Sequence, residues 1–152
     1  MKRLGFSGTR NGMNNMQREW VKGVLQAGGW NEVHHGGCVG ADFDLHVLAL
    51  AFTDARIFVH PSNLPKKYQA HIVPMERVTI LQPLPPLVRN HEIVDVLTGK
   101  EDRFIATPAE EAEILRSGTW STIRYARRRS ELHWTVCTRT GLSEFGYASR
   151  PE

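Results

Sequence analysis

Three clusters of glycine and hydroxyl residues have the composition expected of an anion-binding site. They lie at residues 7–10, 36–42 and 117–122, and each precedes a predicted helix. Glycine lets the backbone approach a ligand closely, and the unpaired amides at a helix start lie at the positive end of the helix dipole. Each cluster therefore predicts a phosphate-binding turn. A tight turn between a strand and a helix also uses glycine for its conformation alone, so the prediction rests on all three clusters together.

Two arginines accompany these clusters. Arg10 ends the first glycine turn, and Arg89 with Asn90 opens a predicted helix. A planar guanidinium can bind phosphate through two parallel hydrogen bonds, so we expect both arginines to reach the same anion. Within the second cluster, Asp42 lies one helical turn before His46, and this spacing predicts a hydrogen bond between the two side chains.

The candidates for acid–base catalysis are two carboxyl groups, Glu113 and Asp42. Glu113 belongs to a run of glutamates just before the third cluster, where a carboxylate could act as a base or hold a ribose hydroxyl. Glutamates near a helix start also complement the helix dipole and face solvent, so catalysis is one of two open alternatives. Trp120, inside the third cluster, could stack on a base or belong to the core.

Alternating strands and helices must position these residues. Apolar runs predict strands at residues 2–6, 30–35, 55–60, 78–81, 103–107 and 132–136. Helical spacing predicts helices from residue 14 to the Gly28-Gly29 stop and at residues 41–52, 86–97 and 119–129. Residues 61–74 are interpreted as irregular and the tail after Thr140 as a loose end. This order predicts a three-layer, Rossmann-like α/β fold with a mostly parallel sheet and helices on both faces.

Length and charge narrow the class of protein. The 152 residues suit a single nucleotide-binding domain over residues 1–152, and the formal net charge of +3 is compatible with an anionic ligand. The chain shows neither an apolar stretch of roughly 20 residues nor a signal-peptide core, which predicts a cytoplasmic protein with no membrane partner. Cys38 and Cys137 are far apart, so we expect free thiols and neither a metal site nor another cofactor. A homo-oligomer is left open.

The order of these motifs resembles that of the SLOG superfamily, which joins the Rossmann-like core of DNA-processing protein A with the Lonely Guy nucleotide hydrolases. The chain is more similar to the former. The similar blocks are Gly5-Phe6-Ser7-Gly8-Thr9-Arg10; Gly36-Gly37-Cys38-Val39-Gly40-Ala41-Asp42 with His46 and Ala49-Leu50; Arg89-Asn90 with Ile93; and Glu113 with Arg116-Ser117-Gly118-Thr119-Trp120-Ser121-Thr122 and Ala126. The resemblance implies a nucleotide-related or phosphate ligand over the turns.

The residues expected to bind this ligand are Ser7, Gly8, Thr9, Arg10, Gly36, Gly37, Cys38, Gly40, Ala41, Asp42, Arg89, Asn90, Thr107, Pro108, Ser117, Gly118, Thr119, Trp120 and Thr122. We expect a sensor, carrier or sponge for a nucleotide or nucleotide-derived small molecule.

Two alternatives stay open. The first is a hydrolase of the nucleotide N-glycosidic bond, like the Lonely Guy phosphoribohydrolases, using Glu113 or Asp42. Those relatives carry Pro-Gly-Gly-x-Gly-Thr followed by a helix glutamate, whereas Thr122 stands in the place of that glutamate here and Pro108 is followed by Ala109. The second is binding of single-stranded DNA, which the relatives of the DNA-processing type perform. Its expected contacts are Arg10, Lys66, Lys67 and residues 127–129.

Overall fold

The computed structural model describes residues 1–129 and 131–147. Its seven strands are β1 (Arg3–Gly8), β2 (Glu32–His35), β3 (Arg56–Val59), β4 (Val78–Ile80), β5 (Arg103–Thr107), β6 (His133–Thr138) and β7 (Gly141–Tyr147). Its helices are α1 (Asn15–Gly28), α2 (Ala41–Phe52), α3 (Pro86–Asp95) and α4 (Gly118–Arg127), with a short 3₁₀ helix at Lys66–Tyr68. None of the helices in the described residues is long and apolar enough to cross a membrane.

The strands form one sheet in the order β4-β3-β2-β1-β5-β6-β7, with all neighbouring pairs parallel except β6 and β7. One buried apolar cluster joins the sheet to α1 and α2, and a second cluster joins it to α3 and α4. The predicted α/β class, the mostly parallel sheet and the three layers are therefore confirmed. β1 lies between β2 and β5, and such a change of winding direction opens a crevice at the carboxyl ends of the strands.

The helix bounds follow from local signals in the sequence. The Asn14 side chain accepts a hydrogen bond from the Gln17 amide, and the Gln17 side chain binds the Asn14 amide in return, which begins α1. Gly29, at φ 62°, ends that helix. α2 follows Gly40 directly and carries two aspartates in its first turn. The predicted bounds of the strands and helices up to Thr138 agree with the structure to within two residues.

The prediction for the tail was wrong. Gly141–Tyr147 forms β7, which pairs antiparallel with β6 across the two-residue turn of Arg139 and Thr140. The polar residues of this turn are also typical of a chain terminus, but here they join two strands of a hairpin. Gly141, the first residue after the turn, has a φ of 134°. β7 is held by backbone pairing with β6, and the local sequence pattern of residues 141–147 does not reveal this partner. Residues 148–152 of the predicted tail lie outside the described residues.

Gly40 gives a sharp test of the turn before α2. Its φ is +90°, and an added Cβ would lie 2.2 Å from the carbonyl oxygen of Arg10. We expect Gly40→Ala to lower the free energy of unfolding by at least about 2 kcal/mol, because left-handed backbone strain and a collision with main chain add up. Urea denaturation measures this. Gly23→Ala, where the new methyl group meets nothing within 4 Å, is the control, and equal stability of both variants would contradict this interpretation.

Candidate anion-binding cavity

A cavity of about 270 Å³ lies at the carboxyl ends of the strands, where β1 is flanked by β2 and β5. It brings together residues from all three predicted clusters and from the start of α3. The predicted residues that line it are Ser7, Gly8, Thr9, Arg10, Gly36, Cys38, Asp42, Arg89, Asn90, Ser117, Gly118 and Thr119. Residues not predicted to bind a ligand also line it, namely Phe6, Leu64, Pro86, Ile93, Glu110, Ile114 and Arg116.

Arg89 is the central cation of the cavity and is only 6% exposed. Its Nη1 donates to the carbonyl oxygens of Gly36, at 2.6 Å, and His60, at 2.9 Å, while its Nε donates to Asn90 Oδ1 at 2.7 Å. Its Nη2 has one weak acceptor, Cys38 Sγ at 3.6 Å. Among the described residues no carboxylate forms an ion pair with it. A buried guanidinium thus lies in the cavity wall without an ion-pair partner among the described residues, although its charge acts on the nearby carboxyl group of Asp42.

Asp42 is the buried acid of the same wall. Its Oδ2 accepts a hydrogen bond from the Cys38 amide at 3.1 Å. Burial raises the pKa of Asp42 to about 6, although the positive charge of Arg89 acts in the opposite direction. Burial, together with Asp42, also raises the pKa of the Cys38 thiol. The cavity therefore holds a carboxyl group that changes charge close to neutral pH and a thiol that is protonated there.

The start of α4 offers backbone donors to the cavity. Ser117 caps this helix by accepting a hydrogen bond from the Trp120 amide at 3.1 Å. The amides of Gly118 and Thr119, the first two of the helix, have no acceptor among the described residues. A Cβ added at Gly118 would meet nothing within 4 Å. Gly118 and Thr119 therefore bring two unpaired helix-start amides to the cavity lining, and such amides are donors that phosphate oxygens accept from.

Two exposed arginines stand at the edge of the cavity. Arg10 lies over the ring of Tyr68, with 4.5 Å between Cζ and the ring centroid. Arg116, just before α4, is also exposed. With Arg89 they make three arginines against the carboxyl groups of Asp42 and Glu110, so the lining favours a negatively charged ligand.

The other glycines of the predicted clusters have structural reasons to be glycine. A Cβ at Gly8 would lie 2.5 Å from Ala41 Cβ, and one at Gly36 would lie 2.5 Å from Arg89 Nη1. The first cluster also differs from its prediction, because α1 begins only after Asn14 and its own side chains cap it. The third cluster does not follow a strand directly, since residues 108–116 separate it from β5. Helix starts therefore follow the second and third clusters directly, at α2 and α4, but not the first cluster.

The predicted hydrogen bond between Asp42 and His46 does not form. His46 Nδ1 lies 2.9 Å from His35 Nε2, and His35 Nδ1 accepts from the Gly37 amide at 3.0 Å. The partner of His46 is therefore His35 on β2, and the Asp42 carboxyl group instead accepts a hydrogen bond from the Cys38 amide. His35 thus links the second cluster, through the Gly37 amide, to His46 on α2.

Several predicted residues lie outside the cavity lining. Trp120 is 1% exposed and packs in the apolar cluster beneath α3 and α4, so its stacking on a bound base is excluded. Thr122 is buried and donates to the Gly118 carbonyl at 2.8 Å. Glu113 binds Arg124 and Arg127 on the surface of α4. The remaining ones, which support the neighbouring turns, are Gly37, Gly40, Ala41, Thr107 and Pro108.

Comparison with known proteins finds no matching family model, curated protein or solved structure. The chemistry of the cavity therefore follows from its own side chains. A buried cation and two free helix amides can bind an anion with several oxygen acceptors. Asp42 can accept or deliver a proton within the same volume.

Proposed function

We propose that this protein binds a nucleotide or a nucleotide-derived phosphate ligand in the cavity, as a sensor, carrier or sponge. The observation that carries the proposal is Arg89, a buried guanidinium without an ion-pair partner among the described residues, in one cavity with the free amides of Gly118 and Thr119. Removing a cation from water is unfavourable unless an opposite charge compensates it. A bound phosphate supplies that charge and accepts from both amides.

The rest of the lining supports a ligand larger than phosphate alone. The cavity volume of about 270 Å³ is near the lower end of small-molecule pockets. Leu64 and Ile114, which are accessible, add apolar surface beside the polar groups. The resemblance of the motif order to the SLOG superfamily supports a nucleotide, and we propose that the chain is a member of its DNA-processing branch.

N-glycosidic hydrolysis is a second candidate because of Asp42. A buried carboxyl group with a pKa of about 6 can protonate a leaving base, and it lies beside the proposed phosphate site. Glu113, the other candidate, is held by two arginines away from the cavity. Release of free base from nucleoside monophosphates by the wild type, and its loss in Asp42→Asn, is the expected sign of this activity. Intact substrate after long incubation would contradict it.

Single-strand binding has less support. Arg10, Lys66 and Lys67 lie near the cavity, whereas residues 127–129 lie at the far end of α4, roughly 15 Å along a helix of 10 residues. Arg127 and Arg129 also form ion pairs with Glu113 and Asp95. The basic residues therefore do not form one continuous path for a phosphate backbone.

The proposal can be tested with two alanine variants that make the same chemical change. Gly118→Ala adds a methyl group at the first residue of α4, beside the free amides, while Gly23→Ala adds one on α1, and neither methyl group meets an atom within 4 Å. Both should fold, because neither methyl group collides and alanine favours helix. We expect Gly118→Ala to weaken binding of a nucleoside monophosphate about tenfold, since overfilling a fitted site costs about 1–3 kcal/mol.

Isothermal titration calorimetry of both variants and the wild type measures these affinities. Wild-type affinity in Gly23→Ala and weaker affinity in Gly118→Ala would support the proposed site. Equal affinity in all three proteins would place the ligand elsewhere, and no binding of any phosphate compound would contradict the proposed function.

A further inference from the structure

Four titratable side chains form a row that runs from β2 past the end of β3 to α3, outside the anion cavity. Glu32 Oε1 lies 3.0 Å from His34 Nε2, His34 Nδ1 lies 2.8 Å from His60 Nε2, and His60 Nδ1 lies 2.6 Å from Glu92 Oε1. His34 and His60 are buried, and all four side chains border one surface groove. These residues are named the carboxylate–imidazole row below.

A proton count shows what the row requires. An ionised carboxylate only accepts hydrogen bonds, and a neutral imidazole carries one N–H. The three contacts of the row need three hydrogens, but two neutral imidazoles supply two. With no further proton, one contact brings two lone pairs face to face. The complete row therefore holds one proton more than its four groups carry in their ordinary forms at neutral pH.

Glu92 is the member that can leave the row when this proton is absent. Its side chain is 39% exposed, while that of Glu32 is 18% exposed and is also bound by Arg3 at 3.0 Å. The two imidazoles are enclosed, and the His34 ring stacks on Phe58. Loss of the extra proton is thus expected to open the contact between His60 and Glu92.

His60 connects the row to the anion cavity. Its ring faces Glu92, and its carbonyl oxygen accepts from Arg89 Nη1 at 2.9 Å. Arg89 and Glu92 both belong to α3 and lie three residues apart, on neighbouring positions of one helix face. When the row is complete, α3 is tied to His60 at two points, one of which is the cation of the cavity.

The charged groups around the row set where it titrates. Those that face it from neighbouring elements are Arg3 on β1, His35 on β2, Arg89 on α3 and Asp102 before β5. Burial lowers the pKa of His60 to about 4, against the raising effect of its hydrogen bond to Glu92. Burial likewise lowers the pKa of His34, and Glu32 opposes this. Proton uptake is therefore expected on the acid side of neutrality.

We propose that the carboxylate–imidazole row regulates the anion cavity: uptake of one proton closes the contact between His60 and Glu92, secures α3 and raises the affinity of the cavity for its anion. This proposal rests on the proposed function. Linkage makes the effect reciprocal, so binding of the anion draws a proton into the row.

The variant Glu92→Gln distinguishes the effect of the extra proton from that of the hydrogen bond between residue 92 and His60. The glutamine amide can donate to His60 Nδ1, which completes the row with two neutral imidazoles and no extra proton. Glu19→Gln makes the same change at an exposed position of α1 and is the control. In the wild type, imidazole ¹⁵N shifts of His34 and His60 should change together between about pH 8 and about pH 4, and in Glu92→Gln this joint transition should be lost.

The anion probe is inorganic sulfate, which keeps its double charge over this range. We expect its affinity to rise towards acid pH about tenfold more in the wild type and in Glu19→Gln than in Glu92→Gln. Asp42 titrates in all three proteins, so the difference between their profiles isolates the row.

Superimposed sulfate profiles, or independent titration of His34 and His60, would overturn the coupling while leaving the anion site intact. Absence of sulfate binding at every pH, with the joint transition still present, would instead overturn the proposed function and the coupling with it.

Discussion

Replacing Arg89 by methionine should lower the affinity for a phosphate ligand about 100-fold and the free energy of unfolding by about 3 kcal/mol. The binding loss reflects removal of the buried cation, whose truncation typically costs about 2–5 kcal/mol. The stability loss is the cost of leaving the buried carbonyl oxygens of Gly36 and His60 without the guanidinium that binds them, less the gain from removing a buried charge. Isothermal titration calorimetry and urea denaturation measure the two effects separately.

Two further variants keep this prediction testable if the methionine variant does not fold. Arg89→Lys retains the charge but lacks the Nε and Nη2 donors that reach Asn90 and Cys38, and we expect about a tenfold loss of affinity. Arg116→Ala removes an exposed arginine from the same cavity, and its effect on affinity should be smaller and should shrink in high salt. Wild-type affinity in Arg89→Lys and Arg89→Met would contradict the role of Arg89.

Asp42→Asn should make the protein more stable at alkaline pH. Burial holds the pKa of Asp42 at about 6 in the folded protein, against 3.8 for an unperturbed aspartate. The folded state thus favours the protonated form, and the stability that Asp42 contributes is present below about pH 4 and lost as the pH rises through about 6. Two pKa units correspond to about 3 kcal/mol. Asparagine avoids this loss and still accepts from the Cys38 amide.

Urea denaturation at several pH values checks the sign. The stability difference between Asp42→Asn and the wild type should be near zero at about pH 4 and reach about 3 kcal/mol at about pH 8. Asp44→Asn is the matched control, because Asp44 is on the same helix, pairs with Arg18 and accepts from the Met13 amide, so its loss should not stabilise the fold. A difference that is the same at both pH values would contradict the buried-acid account of Asp42.

The fold was predictable because its signals are local. α2 is predicted from Ala41 to Phe52 because the glycine turn ending at Gly40 precedes it, and these bounds are confirmed. The presence of a glycine, however, does not show whether the position needs glycine for its backbone conformation or to leave room for a ligand. Gly8 and Gly40 are required by packing and backbone angle, whereas Gly118 faces open space, and only the surrounding atoms distinguish them.

The parts of the site that the sequence did not reveal depend on distant contacts. Glu110 and Ile114 line the cavity from the segment 108–116 between β5 and α4, and Leu64 comes from the segment interpreted as irregular. The distance of one helical turn between Asp42 and His46 was a correct local inference, yet the partner of His46 comes from β2. Ile93 and Arg116 carried a signal only through the motif resemblance.

The most direct test of the anion site is a calorimetric comparison of one nucleoside with its 5′-monophosphate, titrated into the wild type and into Arg89→Lys. If the buried cation and the free amides of Gly118 and Thr119 form a phosphate site, the monophosphate should bind the wild type and should bind Arg89→Lys about tenfold more weakly. The nucleoside, which lacks the phosphate, should bind neither protein measurably. Equal binding of nucleoside and monophosphate, or no binding of either, would contradict it.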